Sequence, residues 1–395
     1  MAKAEWKPRR LDELGFVGRG KSRHRPRNEA SLYGGPYPFI QTADIMAADP
    51  YITSYSQTYS EFGFQQSKMW PPDTLCMTIA GANTAKTAIL KIKACFPDSV
   101  VGFIPDKAKS DLHFVKYSLD VMRHRFLSVS RGATQDNLSL DKLLSFPILA
   151  PEVDEQRRIG AILSAYDELI ENSQRRIRIL EAMARALYRE TLQSRAAAVA
   201  TKPIVDCAYW RFISENVGKY PGTKRYYATA DVDALAITGP GIEYSFSEKP
   251  SRAQKQPIPH SVWFARMKDT YKIAWYGAAN ARQAADSVLS SGFAGFEARH
   301  ADLWPLLFLT IGSREFHVQK DLYCTGATQM SLTNEGLGRI EMPVPDEQSA
   351  RRLGIAVGPM LDLMLTLQQR NAVLRRTRDL LLPRLLSGPL EVEAA

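Results

Sequence analysis

The chain has 395 residues, 45% hydrophobic and 24% charged, with a formal net charge of +9. This is ample material for two or three globular cores and too apolar for a disordered chain, and the basic balance favours a polyanionic partner, nucleic acid before membrane. Cys76, Cys95, Cys207 and Cys324 stand far apart with no C-x-x-C pair, the N-terminal MAKAEWKPRR lacks the apolar core of a signal peptide, and no apolar run approaches a membrane span. These features argue against a zinc site, a disulfide framework or a membrane anchor, and lead us to expect a cytoplasmic protein.

Along the chain, residues 1–27 carry nine Lys/Arg against three acidic residues, and Gly18 to Arg27 form a basic loop. Such a loop is either a solvated segment or a phosphate contact, where Lys and Arg displace condensed counterions. PYPFIQTADI (36–45) is a turn and short strand, echoed by KRYYATADV (224–232), with Thr42–Ile45 and Thr229–Val232 offset by 187. KMWPPDTLCMTIA (68–80) is echoed by KQPIPHSVWFARM (255–267), each a Pro-containing turn leading into a β-prone run. DLHFVKYSLDVMRHRF (111–126) has helical spacing and corresponds to ADLWPLLFLTIGSREF (301–316). Gly132-Ala133-Thr134-Gln135 recurs as Gly326-Ala327-Thr328-Gln329, now at an offset of 194. A Pro-containing linker follows each copy.

The stretch from Pro151 to about Gln193 reads as one helix. Ile159, Leu163, Tyr166, Ile170, Ser173, Ile177, Leu180, Ala184 and Leu187 alternate at spacings of four and three, the heptad seam of a coiled coil. Leu353, Val357, Met360, Met364, Leu367, Asn371, Leu374, Arg378 and Leu381 repeat that seam 194 positions later. An internal repeat of this length means two copies of a domain-plus-helix unit, and the two stripes are expected to bury against each other. Gly358-Pro359 predicts a kink or a restart in the second helix, and Pro383 with Gly388-Pro389 its end. Asn371 either fixes the pairing register or marks a frayed contact.

Catalytic signatures do not emerge. There is no phosphate-binding G-x-x-x-x-G-K-[ST] loop, Pro71-Pro72-Asp73 has the wrong order for an amino-methyltransferase motif, Pro105-Asp106-Lys107 lacks the second acid of a nuclease site, and the six histidines form no H-x-x-x-H pair. The residues read as a binder.

Pro151–Ile159 (PEVDEQRRI), Asp167–Asn172 (DELIEN), Leu380–Gly388 (LLLPRLLSG), the two Gly-Ala-Thr-Gln turns and Tyr37–Thr42, taken together along the chain, resemble the specificity subunit of type I restriction–modification systems. The second helix departs from the pattern, because Asp346-Glu347-Gln348 sits two residues earlier relative to Arg351-Arg352 than Asp154-Glu155-Gln156 does to Arg157-Arg158. The resemblance implies an α/β (α+β) chain. Target-recognition domain 1 would occupy 1–150, a central spacer helix 151–195, target-recognition domain 2 196–345 and a C-terminal spacer helix 346–390. Two mixed α/β domains would be separated by two long antiparallel coiled-coil helices with a pseudo-two-fold repeat. It also implies a non-catalytic subunit without a cofactor of its own. That subunit would read a bipartite double-stranded DNA site and direct two modification subunits, which use S-adenosylmethionine to methylate adenine N6. With two motor-nuclease restriction subunits, using ATP and Mg, unmodified DNA would be cleaved.

A helix of about 37 residues is roughly 55 Å long and would fix the unread gap between half-sites, as spacing does in dimeric readers. Residues shared by both copies, such as Gln135 and Gln329 or Asp44 and Asp231, cannot tell two half-sites apart. Base reading is therefore expected where the copies diverge, at 51–91 and 241–282. There Arg and Lys suit guanine, and Asn and Gln suit adenine. The candidates are Gln57, Gln65, Gln66, Lys68, Asn83 and Lys86 in the first copy, and Arg252, Gln254, Lys255, Arg266, Lys268 and Asn280 in the second, with Lys21, Arg23 and Arg25 for the loop. The alternative is a helical scaffold with only weak, non-specific DNA binding.

Overall fold

The computed structural model describes residues 6–81, 84–130, 138–194, 198–327 and 329–387. The chain divides into two compact units, Met1–Asn172 with Ala372–Ala395, and Ser173–Asn371. Five helices organise them: α1 (Leu112–Ser130), α2 (Val153–Gln193), α3 (Trp304–Ile311), α4 (Arg314–Leu322) and α5 (Glu347–Leu386). Each of the two long helices, α2 and α5, contributes one part to each unit.

In the first unit, one sheet runs in the order Gly15–Arg19, Val100–Pro105, Leu75–Thr78, Thr87–Leu90, Tyr51–Ile52. Its first four strands are antiparallel. A second sheet orders Gln57–Tyr59, Tyr33–Phe39, Ala94–Cys95, Met69–Trp70, with the middle pair parallel. The ribbon of Lys7–Arg9 and Ile148–Ala150 closes the base of α2.

The second unit repeats this plan. Trp210–Phe212, Phe293–Ala298, Ser261–Ala265 and Ile273–Tyr276 form the antiparallel sheet. Ile242–Ser245, Thr223–Tyr227, Ser287–Ser290 and Ala253–Lys255 form the other, again with the middle pair parallel. Val199–Pro203 and Glu341–Pro345 make the ribbon. The internal repeat is therefore a repeat of strand order. It reaches single bonds: Asp44 accepts from the Gln41 amide at 2.7 Å, and Asp231 from the Ala228 amide at 2.7 Å. These shared aspartates cap the turn that follows a strand, which is a frame role.

Where the first unit has the single helix α1, the second has α3 and α4. Ser313 separates them, its Oγ accepting from the Phe316 amide at 3.1 Å and donating to the Thr310 carbonyl at 2.8 Å. A serine that caps a new helix competes with continuation of the old one, so the 301–316 pattern is split rather than continuous. All eight residues of α3 are buried.

The seams are buried, but not only against each other. In the first unit Ile159 and Leu163 join a core with Phe114, Tyr117 and Phe126, and Leu381 packs against it. In the second, Ala184 is buried with Leu353, Val357 and Met364 among Trp304, Leu307 and Phe308, and Ile177, Leu180, Leu187 and Met360 pack against that core. Ile170 and Leu367 are buried, and Tyr166 and Leu374 half-buried. Most of each stripe thus serves its own unit's core as well as the partner helix.

The helix neither restarts at Gly358-Pro359 nor ends at Pro383: α5 runs continuously from Glu347 to Leu386. Proline costs about 3 kcal/mol in a helix interior. Around Pro359, Val357, Leu361, Met364 and Leu365 are buried, and each buried aliphatic side chain contributes about 1.5–3 kcal/mol, so packing outweighs the penalty. The carbonyls that lose a donor belong to Ile355, 73% exposed, and to the exposed Asp379, where water can donate instead.

Candidate nucleic-acid interface

The basic loop of the first unit leaves the strand Gly15–Arg19 and is held through its backbone. The Lys21 amide donates to the Phe96 carbonyl at 3.0 Å, and the Lys21 carbonyl accepts from Ser67 Oγ at 2.7 Å. Gln66 Oε1 accepts from the Arg23 amide, and from the His24 amide at 3.0 Å. Tyr33 donates its hydroxyl proton to the Arg27 carbonyl. The segment 66–67 therefore sets the loop's course through its backbone, without using the cationic heads.

Arg19 donates to the Asp98 carbonyl at 2.7 Å, and Arg27 pairs with the Asp98 carboxylate at 2.8 Å. Arg25 reaches that carboxylate at 3.9 Å and bonds the Ser22 and His24 carbonyls, each at 2.8 Å. Among the described residues, no acidic side chain lies in ion-pair range of Lys21, Arg23 or Lys68. The Lys68 ammonium sits 4.5 Å from the Phe16 ring centre and 4.0 Å from that of Trp70, a cation–π seat that orients it without neutralising it.

The candidate base readers fare unequally. Gln65 and Lys68 are exposed, and Lys86 is half-buried. Gln57 accepts from Gln41 Nε2, and Asn83 lies outside the described residues. Gln66 is a correction: it is half-buried and its oxygen is committed to two backbone amides, so it shapes the loop rather than meeting a base.

In the second unit Arg252 is exposed, Gln254 donates to the Ser251 carbonyl at 2.8 Å, and Lys268 lies 3.8 Å from Met330 Sδ. Three candidates there are structural instead. Lys255 Nζ donates to the Ser214 carbonyl and Asn216 Oδ1 at 3.1 Å each, and burial, then Arg266, lower its pKa. Arg266 donates to the Leu332 carbonyl at 2.9 Å and Asn334 Oδ1 at 2.7 Å, and burial lowers its pKa. Asn280, 4% exposed, accepts from the Gly277 amide at 2.8 Å and donates to the Trp275 carbonyl at 3.1 Å, which locks a turn. In each, the donor chemistry that suggested base reading is spent on the fold.

Two helix residues have definite tasks that side-chain type alone did not reveal. Gln156, 2% exposed, accepts from the Asp111 amide at 3.2 Å and donates to the Lys109 and Pro151 carbonyls at 3.2 and 2.9 Å. It ties the start of α2 to the first unit. Asp167, 1% exposed, accepts from the Tyr117 hydroxyl and from Arg378, joining α1, α2 and α5. Burial and then Asp167 push the Tyr117 pKa up, so Tyr117 remains the donor. Burial opposes the Arg378 charge, but Asp167 and Asp379 outweigh it and raise its pKa.

Among the described residues, no three His, Cys, Asp or Glu side chains converge as a metal site. No described helix is long and apolar enough to cross a membrane. Residues 3–182 match the family model of the type I restriction modification DNA specificity domain. The MjaIX type I restriction enzyme specificity subunit of Methanocaldococcus jannaschii is 25% identical over 190 residues, 47% of this chain and 43% of that protein, so less than half of the relative's length is spanned. The crystal structure of a type I restriction–modification S subunit from M. genitalium superposes with a TM-score of 0.61 at 15% identity, covering 98% of this chain and 97% of that one. It shows the same fold, with both units and both long helices included in the match. Residues 3–182 thus match the DNA specificity domain of type I restriction–modification systems, and the chain as a whole shares the fold of a type I S subunit.

Proposed function

We propose that this chain is the non-catalytic DNA-reading subunit of a cytoplasmic type I complex. Each unit takes one half of a bipartite double-stranded site, and the length of the helices sets the unread gap. Two modification subunits, supplied with S-adenosylmethionine, methylate adenine N6 at that site. Motor-nuclease subunits using ATP and Mg cleave the unmodified DNA.

The observation that carries this reading is the duplicated strand order with divergent residues at matching places. Lys68, just before the strand Met69–Trp70, and Lys255, the last residue of its counterpart Ala253–Lys255, are 187 positions apart, yet one is exposed on an aromatic seat and the other bonds groups of its own unit. Two copies of one frame that differ at such places suit two different half-sites. A symmetric scaffold would have no use for the difference.

The test is a binding titration of the chain assembled with its modification subunit, on random and selected duplexes, at rising salt. A reader loses overall affinity steeply but keeps its preference for one sequence. Affinity that vanishes with salt and shows no sequence preference at any concentration would contradict the proposal, as would methylation by the purified chain alone.

A further inference from the structure

Because the units share one strand order, their first-strand loops can be compared position by position. In the first unit the segment after Gly18 carries Arg19, Lys21, Arg23, Arg25 and Arg27, and no acid until Glu29. Asp98 answers Arg25 and Arg27, and Glu29 answers His24. Lys21, Arg23 and Lys68 are left without an acidic partner among the described residues. The loop is nevertheless not loose, since Gln66, Ser67 and Phe96 hold its backbone.

The corresponding segment of the second unit, Phe212–Pro221, holds one base, Lys219, and one acid, Glu215. Arg211, at its root, is spent on Glu297 at 2.6 Å and Glu215 at 3.0 Å. Lys255, the counterpart of Lys68, turns onto Ser214 and Asn216 and does for this loop what Gln66 and Ser67 do for the other. The same architectural task is thus met by a neutral side chain in one unit and by a cation in the other. Of the two loops, the first unit's leaves two cations, Lys21 and Arg23, without an acidic partner among the described residues, where the second unit's carries a single base, Lys219.

We propose that Lys21 and Arg23 form a phosphate clamp that grips the DNA backbone at the first half-site, with no equivalent from the second unit's loop. This rests on the chain being a DNA reader. The grip is sequence-independent, so it sets affinity and register while other residues choose the bases. The two half-sites are therefore held unequally, with the counterion-dependent part concentrated on the first.

The experiment uses the chain assembled with its modification subunits, a duplex bearing its mapped methylation site, and a scrambled duplex of equal length. Neither cationic head is paired with an acid among the described residues, so Lys21→Ala with Arg23→Ala should fold and assemble. The double variant is expected to lower the slope of log affinity against log salt by about 2, at roughly 0.9 for each phosphate that is no longer neutralised, and to weaken both duplexes by the same factor. Lys219→Ala should leave the slope within a few tenths of the parent. An unchanged slope in the double variant would overturn the clamp, as would an equal decrease in Lys219→Ala. A weakening confined to the specific duplex would also overturn it and make Arg23 a base reader. If the parent complex prefers no sequence, the functional reading fails first and the clamp falls with it.

Discussion

At the residue scale, Asp167 is where three helices of the first unit meet in one buried polar group. Tyr117 from α1 and Arg378 from α5 both donate to its carboxylate. Removing one member of a buried pair strands the other, at a cost of about 3–5 kcal/mol. Asp167→Asn is therefore expected to lower the denaturation midpoint sharply, and Arg378→Met in the same chain should recover part of the loss. Little change on Asp167→Asn would mean that the group is more solvated than its 1% exposure implies. This scale was also the least legible in the sequence. Side-chain type told correctly which groups can donate to a base, but it could not tell where the donors are already spent. Gln66, Lys255, Arg266 and Asn280 are all of the right type and all occupied by backbone or neighbouring amides. Arg378 lay on the heptad seam, and its partner there is Asp167, 211 positions earlier. No local pattern encodes such a partner.

At the element scale, the long helices approach their units through a pair of glycines that the repeat places 194 positions apart. A Cβ at Gly160 would lie 2.1 Å from Asp111 Oδ1, and one at Gly354 1.7 Å from the Asp302 carbonyl oxygen. Alanine would favour the helix by about 1 kcal/mol, but overpacking costs about 1–3 kcal/mol or more when the obstacle is backbone. Gly354→Ala should therefore destabilise the chain in chemical denaturation, and more than Gly160→Ala, whose obstacle is a side chain. A stabilised Gly354→Ala would show that α5 does not pack as closely as described. The helices themselves were legible, because a four-three spacing sustained over four heptads has no strand alternative. Their proline behaviour was not, because local propensity assigns Pro359 a penalty without knowing that Val357, Leu361 and Met364 are buried beside it.

At the scale of the whole molecule, the repeat offset was enough to announce two copies of one unit. The shared order of strands, down to the paired Asp44 and Asp231 caps, bears this out. What the offset could not show is that each compact unit takes in parts of both long helices, since that depends on residues far apart in sequence meeting in space, as in the Arg375–Asp49 pair, 326 positions apart, at 3.1 Å. The central claim is that two divergent copies of one frame read two half-sites at a fixed separation. Its most direct test is a methylation map: the chain is expressed with its modification subunit in a methylation-free host, and modified adenines are located by long-read sequencing. A single split motif, two unlike halves with one constant unread gap, is expected. A continuous motif, a variable gap, or no motif from a demonstrably assembled complex would contradict it.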